Sequence, residues 1–248
     1  MDLDLTEEQQ MLREAVAGLC ADAADTVRAL ENDPTGYDEG FWSQLAAMGL
    51  TGLMLPEEHG GSAMGLLDAA VVYEEFGRSL VPSPHFASSV VAAGILQAGG
   101  STAQQAEWLP RIAAGEAIVV PAWLEPDNGT GPDGVQLPAV ADGGGFVLNG
   151  AKRHVSFASS ADRLVVPVRT DAGIDLFLVD PAADGVTSTQ QLTVASDTQY
   201  RVDLDGVRVA AGDRIGGAGT GWDTLHAAML DAVVLLAAQA VGAAEAAH

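Results

Sequence analysis

Ala122-Trp-Leu-Glu-Pro-Asp-Asn-Gly-Thr130 and Phe146-Val-Leu-Asn-Gly-Ala-Lys-Arg-His-Val-Ser156 are the two stretches on which the fold turns. Each starts in a β-rich apolar run and carries an Asn-Gly pair, with Pro126 added in the first, residues that end strands or turn the chain. They read as two strand ends facing one flat ligand. Around them lies a run of short segments rich in β-formers: 118–123, 146–148, 164–168, 174–179, 200–204 and 207–209. Asp205-Gly206, set between two alternating runs, is the strongest hairpin signal, and Asn149-Gly150 is a second candidate turn. This is the pattern of a small antiparallel β domain.

Before residue 116 the period changes to three and four, the spacing of helices buried on one face. Thr6-Glu-Glu-Gln9 is a capping box, with Met11, Leu12, Val16 and Leu19 following on one face. A second helix carries Phe41, Leu45 and Met48 and stops at Gly49. Further helices are expected over 66–76 and 86–97, and from Ser101 to near Gly115, with the loop Leu55-Pro-Glu-Glu-His-Gly-Gly61 between the second and third. From Gly221 helical spacing returns, with Leu225, Met229, Val233, Leu236 and Ala240 as an apolar stripe. No Pro follows that stripe to stop the helix. An apolar face of this kind asks for a partner surface, which a longer chain or another subunit would provide.

Composition narrows the partners. With 34 acidic and 11 basic residues the net charge is −23, which repels nucleic acid and anionic lipid. No apolar run reaches the roughly 18 residues that span a bilayer, and the first residues lack signal-peptide character, so a cytoplasmic location without membrane insertion is the expectation. Cys20, the single cysteine, is expected as a buried structural thiol. His59, His85 and His226 have no metal-ligand spacing and are expected on loops or at the surface. Gly143-Gly-Gly145 has no following helix and does not read as a phosphate cradle.

The two opening stretches resemble the flavin-binding middle domain of the acyl-CoA dehydrogenase family. Its usual forms there are aromatic-x-x-Thr-Glu-Pro-x-x-Gly-Ser and Asn-Gly-x-Lys-x-Trp-Ile-Thr. Leu55-Pro-Glu-Glu-His-Gly-Gly61, Glu74-Glu-Phe-Gly-Arg78 and Gly219-Thr-Gly-Trp222 extend the resemblance over the whole chain. It implies an α+β fold: an N-terminal helical domain (1–116), a middle antiparallel β domain of flavin-binding type (117–218), and the first helix (219–248) of a C-terminal helical-bundle domain. The family reaction takes a proton from the α carbon of a CoA thioester while a hydride passes from the β carbon to FAD. Family members usually run on well past one helix of that last domain.

By this resemblance Pro121, Trp123 and Leu124 line the flavin, and Leu124 stands where a threonine normally donates a hydrogen bond. Thr130 replaces the serine that meets the flavin phosphate and the thioester, which makes it a substrate-binding candidate as well. His154 replaces a tryptophan packed on the ring, and Ser156 a threonine that hydrogen-bonds it. Glu125 is expected to bond backbone, and Lys152 to be a solvated charge. Ala232 falls at a base position used by a minority of the family and Val233 at the arginine after it, so neither functional side chain is present. Asp231 is one residue away, which turns it about 100° around the helix. The pattern is similar to the subunits of heteromeric actinobacterial acyl-CoA dehydrogenases of sterol side-chain degradation. It implies an FAD-dependent subunit taking its base from a partner and passing electrons to an electron-transfer acceptor. The alternatives are a self-sufficient homotetramer with its base in a further C-terminal segment, and a scaffold that has lost flavin.

Overall fold

The computed structural model describes residues 4–195 and 197–248. Five α-helices come first: α1 (Glu7–Ala23), α2 (Glu39–Ala47), α3 (Leu66–Ser79), α4 (Ala93–Gly99) and α5 (Thr102–Ala113). Their starts are chemical. Thr6 Oγ1 accepts from the Gln9 N–H at 3.2 Å while Gln9 Oε1 accepts from the Thr6 N–H at 3.1 Å, the expected capping box. Ser101 and Gln104 repeat the arrangement at α5. Gly49 closes α2 at φ 73, where glycine has no Cβ penalty. Val16, Leu19 and Cys20 are buried, whereas Met11 is 63% exposed, off the face assigned to it. The segment expected as one helix over 86–97 starts as a wider π-helical stretch, Phe86–Ala92, before tightening into α4.

Eight strands follow: β1 (Val119–Pro121), β2 (Ala139–Asp142), β3 (Gly145–Ser156), β4 (Arg163–Thr170), β5 (Gly173–Val179), β6 (Val186–Gln191), β7 (Gln199–Ala210) and β8 (Arg214–Ile215). They form two sheets, ordered β1-β4-β5-β8 and β2-β3-β7-β6. All strand pairs are antiparallel except β1 with β4, which is parallel. Phe146 and Phe177, from different sheets, meet with ring centroids 5.1 Å apart.

Neither expected hairpin turn reverses the chain. Asp205-Gly206 and Asn149-Gly150 lie inside the continuous strands β7 and β3, where the register jumps from Leu148↔Val207 to Gly150↔Leu204. The Gly206 N–H donates to Asn149 Oδ1 at 2.8 Å across this irregularity. Gly206 does take a positive φ of 67, but it serves a bulge, a feature that shares its local conformation with tight turns. One two-residue turn instead uses Gly143 and Gly144, at φ 59 and 95, between paired Asp142 and Gly145.

The last helix, α6 (Gly221–Ala247), packs along α3. Its buried face is Leu225, Ala228, Ala232, Leu235 and Gly242. The expected stripe is therefore only partly right, because Val233 and Leu236 are 61% and 43% exposed. Apolar residues surround α6 on most sides, so periodicity alone does not select the face. By length and composition α6 meets the criterion for crossing a membrane, contrary to the sequence expectation, although part of it is packed inside this fold.

Candidate functional site

The two sequence stretches are stitched together. Ala122 donates to the Val165 carbonyl (2.9 Å), and the chain then leaves the sheet at Trp123. The Arg153 N–H of β3 reaches back to the Leu124 carbonyl at 2.9 Å. Beside this bond Lys152 Nζ donates to Glu125 Oε1 and to the Pro167 carbonyl, both at 2.7 Å. Lys152 is wholly buried and Glu125 is 4% exposed. The expectation of a solvated lysine is thus overturned, for a reason that lies 27 residues away in the sequence.

Glu125 bonds backbone, as expected. Its carboxylate accepts from the Gln136 N–H at 3.0 Å, the Leu137 N–H at 3.0 Å and Asn128 Nδ2 at 2.9 Å, which pins the loop running from Trp123 to β2. Burial opposes ionisation of Glu125, but the Lys152 charge and hydrogen bond and the two backbone N–H groups outweigh it and hold its pKa below the ordinary value. Burial draws Lys152 down to about 8, with Glu125 pulling the other way.

The site candidates occupy this seam and its surroundings. Pro121 ends β1 and, with Trp123 and Leu124, is partly buried. Thr130 is exposed between Gly129 and Gly131, each with open space where a Cβ would point. On β3 the register passes from Lys152↔Val202 to Val155↔Tyr200, so Arg153 and His154 together oppose one residue of β7. This bulge leaves Lys152 and Val155 both buried, with His154 exposed and Ser156 partly exposed. His154 takes φ 52 and Phe157 φ 55, so non-glycine residues in the left-handed region bracket Ser156. Backbone strain and bulges concentrate at sites that aim a side chain. No hydrogen bond among the described residues joins Thr130 to His154 or Ser156.

A cavity of about 640 Å³ opens beside Phe157, with Tyr73, Phe76, Val81, Phe86 and Leu236 among its apolar walls. Sequence reasoning placed none of these at a site, since each also suits a helix core. His85 sits in the same wall and, contrary to the surface expectation, is 3% exposed. Its Nε2 lies 3.0 Å from the Leu50 carbonyl and its Nδ1 2.9 Å from the Tyr73 hydroxyl. A carbonyl only accepts, so Nε2 carries the proton and Tyr73 donates. Burial lowers the His85 pKa from 6.5 to about 4. The folded state therefore resists a proton that the unfolded chain accepts, and this stabilisation, complete above pH 6.5, is lost as pH falls towards 4. Stability is expected to drop by roughly 3 kcal/mol across that window from this group alone. Urea denaturation of the His85→Gln variant at several pH values should show a correspondingly shallower acid slope.

The carboxylates that line the cavity, Glu31 and Asp197, are both engaged. Glu31 pairs with Arg28 at 3.2 Å, and Asp197 accepts from Thr193 and Gln199. Ala232 is buried one turn before the cavity residue Leu236, and Asp231 is exposed beside it.

Comparison with known proteins gives consistent matches. The model of the acyl-CoA dehydrogenase N-terminal domain matches residues 6–116 and that of the middle domain residues 122–207. Acyl-CoA dehydrogenase FadE27 of Mycobacterium tuberculosis is 31% identical over 223 residues, which cover 88% of this chain and 57% of that protein. Acyl-CoA dehydrogenase IpdE2 of the same organism is 32% identical, with 98% of this chain and 76% of that protein covered. The crystal structure of the ChsE4-ChsE5 complex from Mycobacterium tuberculosis superposes with a TM-score of 0.87 at 28% identity, covering 99% of this chain and 66% of that one. The chain spans 57% of FadE27 and 40% of (2S)-methylsuccinyl-CoA dehydrogenase of Cereibacter sphaeroides.

Proposed function

From the premise that this chain belongs to the acyl-CoA dehydrogenase family, we propose that it is an FAD-binding subunit for α,β-dehydrogenation of a CoA thioester, with the catalytic base supplied by a partner subunit. The observation that carries this reading is the combination of a flavin-type seam with no unengaged carboxylate among the described residues that line the cavity. Glu31 and Asp197 are committed to other groups, and the base position of the resemblance is the methyl group of Ala232. Proteins similar to this chain include members of heteromeric assemblies, the ChsE4-ChsE5 complex and the Tcur3481-Tcur3483 steroid ACAD. A bulky acyl group such as a sterol side chain is the proposed substrate, passing its electrons to an electron-transfer acceptor in the cytoplasm.

The residues fit a planar cofactor with a phosphate tail. Thr130 and Ser156 offer hydroxyl donors, the backbone at 129–131 is open to a phosphate, and Pro121, Trp123 and His154 offer flat or apolar surface. FAD, when bound, supplies the hydride acceptor. Thr130 and Ser156 would hold and orient it, while Phe76, Phe86 and Phe157 exclude water from the acyl group beside it. Leu124 gives no side-chain donor. Leu124→Thr is accordingly expected to tighten FAD binding by about fivefold, the worth of one net hydrogen bond near 1 kcal/mol, measured by fluorescence titration.

A second reading, a homotetramer with its base in a C-terminal segment, is favoured by the coverage of relatives, which continue beyond the matched region. Purifying the chain alone and after co-expression with a second acyl-CoA dehydrogenase subunit separates these. A visible flavin band that depends on the partner, with turnover lost when the partner's base is removed, is the expected result. Turnover by an extended chain alone would favour the homotetramer, and no flavin in any form would leave only the scaffold reading.

A further inference from the structure

His154 is exposed, yet it is held from three directions. Its backbone sits at φ 52, and its N–H donates to Gln191 Oε1 at 3.1 Å, at the end of β6. Its ring Nδ1 lies 2.7 Å from Gln199 Oε1, at the start of β7. The Gln199 carboxamide nitrogen in turn donates to Asp197 Oδ2, and Asp197 Oδ1 accepts from Thr193 Oγ1.

The chemistry of these groups fixes the direction of every bond. An ionised carboxylate can only accept, so Gln199 must turn its NH₂ towards Asp197 and its oxygen towards His154. A carboxamide oxygen also only accepts, so the proton of the neutral imidazole resides on Nδ1. Nε2 is left as a bare lone pair, and no described residue donates to it. The β3 bulge sets His154 on the outward side with Ser156, because Lys152 and Val155 both turn inward.

We propose that Asp197 and Gln199 are positioning residues that lock His154 as its Nδ1–H tautomer, so that Nε2 accepts a hydrogen bond from an N–H or O–H of the planar ligand covering the outward side of β3. The ligand half of this proposal rests on the flavin reading above, and the tautomer half is independent of it. Asp197 also lines the cavity beside Phe157. The relay therefore ties the ring's orientation to the cavity wall.

Two measurements decide the matter. The chain has five histidines, so long-range nitrogen–proton NMR on histidine-labelled protein, at a pH where the imidazoles are neutral, resolves each tautomer, with His154→Phe identifying the signal. His154 is expected to show a protonated Nδ1 and a bare Nε2. Gln199→Met is expected to release it to the other tautomer, and Asp197→Asn to give a mixture, because asparagine no longer dictates which end of Gln199 it meets. A protonated Nε2 in the unsubstituted chain, or an unchanged tautomer in Gln199→Met, overturns the relay. For the ligand half, FAD titration of the chain in complex with its co-expressed partner subunit should show His154→Phe binding about 3- to 10-fold more weakly, and His154→Gln, whose carboxamide oxygen reaches the Nε2 position, recovering most of the loss. Equal affinity of His154→Phe and the unsubstituted chain overturns it. Failure of the unsubstituted chain to bind FAD both alone and in complex with a co-expressed partner subunit overturns the flavin reading and the ligand half together, and the NMR result still decides the relay.

Discussion

Lys152→Met is expected to destabilise the chain by about 3 to 5 kcal/mol, the usual cost of removing one partner from a buried ion pair. Methionine fills a similar volume, so little of this loss is cavity. The cost comes from Glu125, which stays 4% exposed with its cation gone. The Gln136 and Leu137 N–H groups and Asn128 still donate to it, but a carboxylate in this setting takes up a proton and then surrenders part of that network. The Pro167 carbonyl also loses its donor. In the double variant Lys152→Met, Glu125→Gln, a neutral carboxamide keeps accepting from the backbone N–H groups with no charge to bury. More than half of the lost stability is expected to return, a coupling visible in a double-mutant cycle by urea denaturation. Because the same clamp holds Leu124 against Arg153, Lys152→Met should also lose FAD affinity although Lys152 is sealed beneath the seam. A single-variant loss below about 1 kcal/mol, on the scale of an exposed pair, would show that the clamp is not what holds the loop.

The acid limb of the same pair has a definite sign. Glu125 is held below its ordinary pKa of 4.5, so its contribution is complete above that value and disappears as pH falls through the lower folded-state value. His85 acts in the window above, between 6.5 and about 4. Their losses on acidification therefore follow in order, His85 first.

What could be read from the sequence was whatever local chemistry determines. Thr6 and Ser101 announce helix starts because a hydroxyl three residues before a glutamine has few other uses. The change of period near residue 116 is equally local. Gly206 and Gly150 misled because a positive φ marks a bulge as well as a turn, and only the partner strand distinguishes them. Lys152 misled because a lone lysine in a chain of net charge −23 looks solvated until Glu125 is brought to 2.7 Å by the tertiary fold. The same holds for His85, whose partners are Tyr73 on α3 and the Leu50 carbonyl. The candidate residues around the seam were legible through motif resemblance. The cavity was not, since Phe76, Phe86, Phe157 and Leu236 converge from separate segments.

The face of α6 that meets α3 was also hidden, and it carries the second large effect. Gly77→Ala would set a Cβ 1.9 Å from the Gln239 carbonyl oxygen and 2.9 Å from the Ala243 nitrogen. Gly242→Ala would set one 1.8 Å from the Glu74 carbonyl oxygen. These obstacles are backbone and cannot rotate away, so the helices must part. Alanine is the better helix former by roughly 1 kcal/mol, yet overpacking of this kind costs about 1 to 3 kcal/mol or more. Each substitution is expected to lower stability by about 1 to 2 kcal/mol net. Gly18→Ala in α1, where a new Cβ meets nothing within 4 Å, makes the same chemical change without the clash and is expected to stabilise by about 0.5 to 1 kcal/mol. Urea denaturation of the three variants side by side isolates the contact from the propensity. The consequence extends to function, because Phe76 on α3 and Leu236 on α6 face the same cavity. Parting the helices widens it, so either clashing variant should weaken binding of a bulky acyl-CoA even where the folded chain persists. If Gly242→Ala stabilises as Gly18→Ala does, α6 does not rest on α3 through this glycine contact, and the cavity wall it provides must be placed elsewhere.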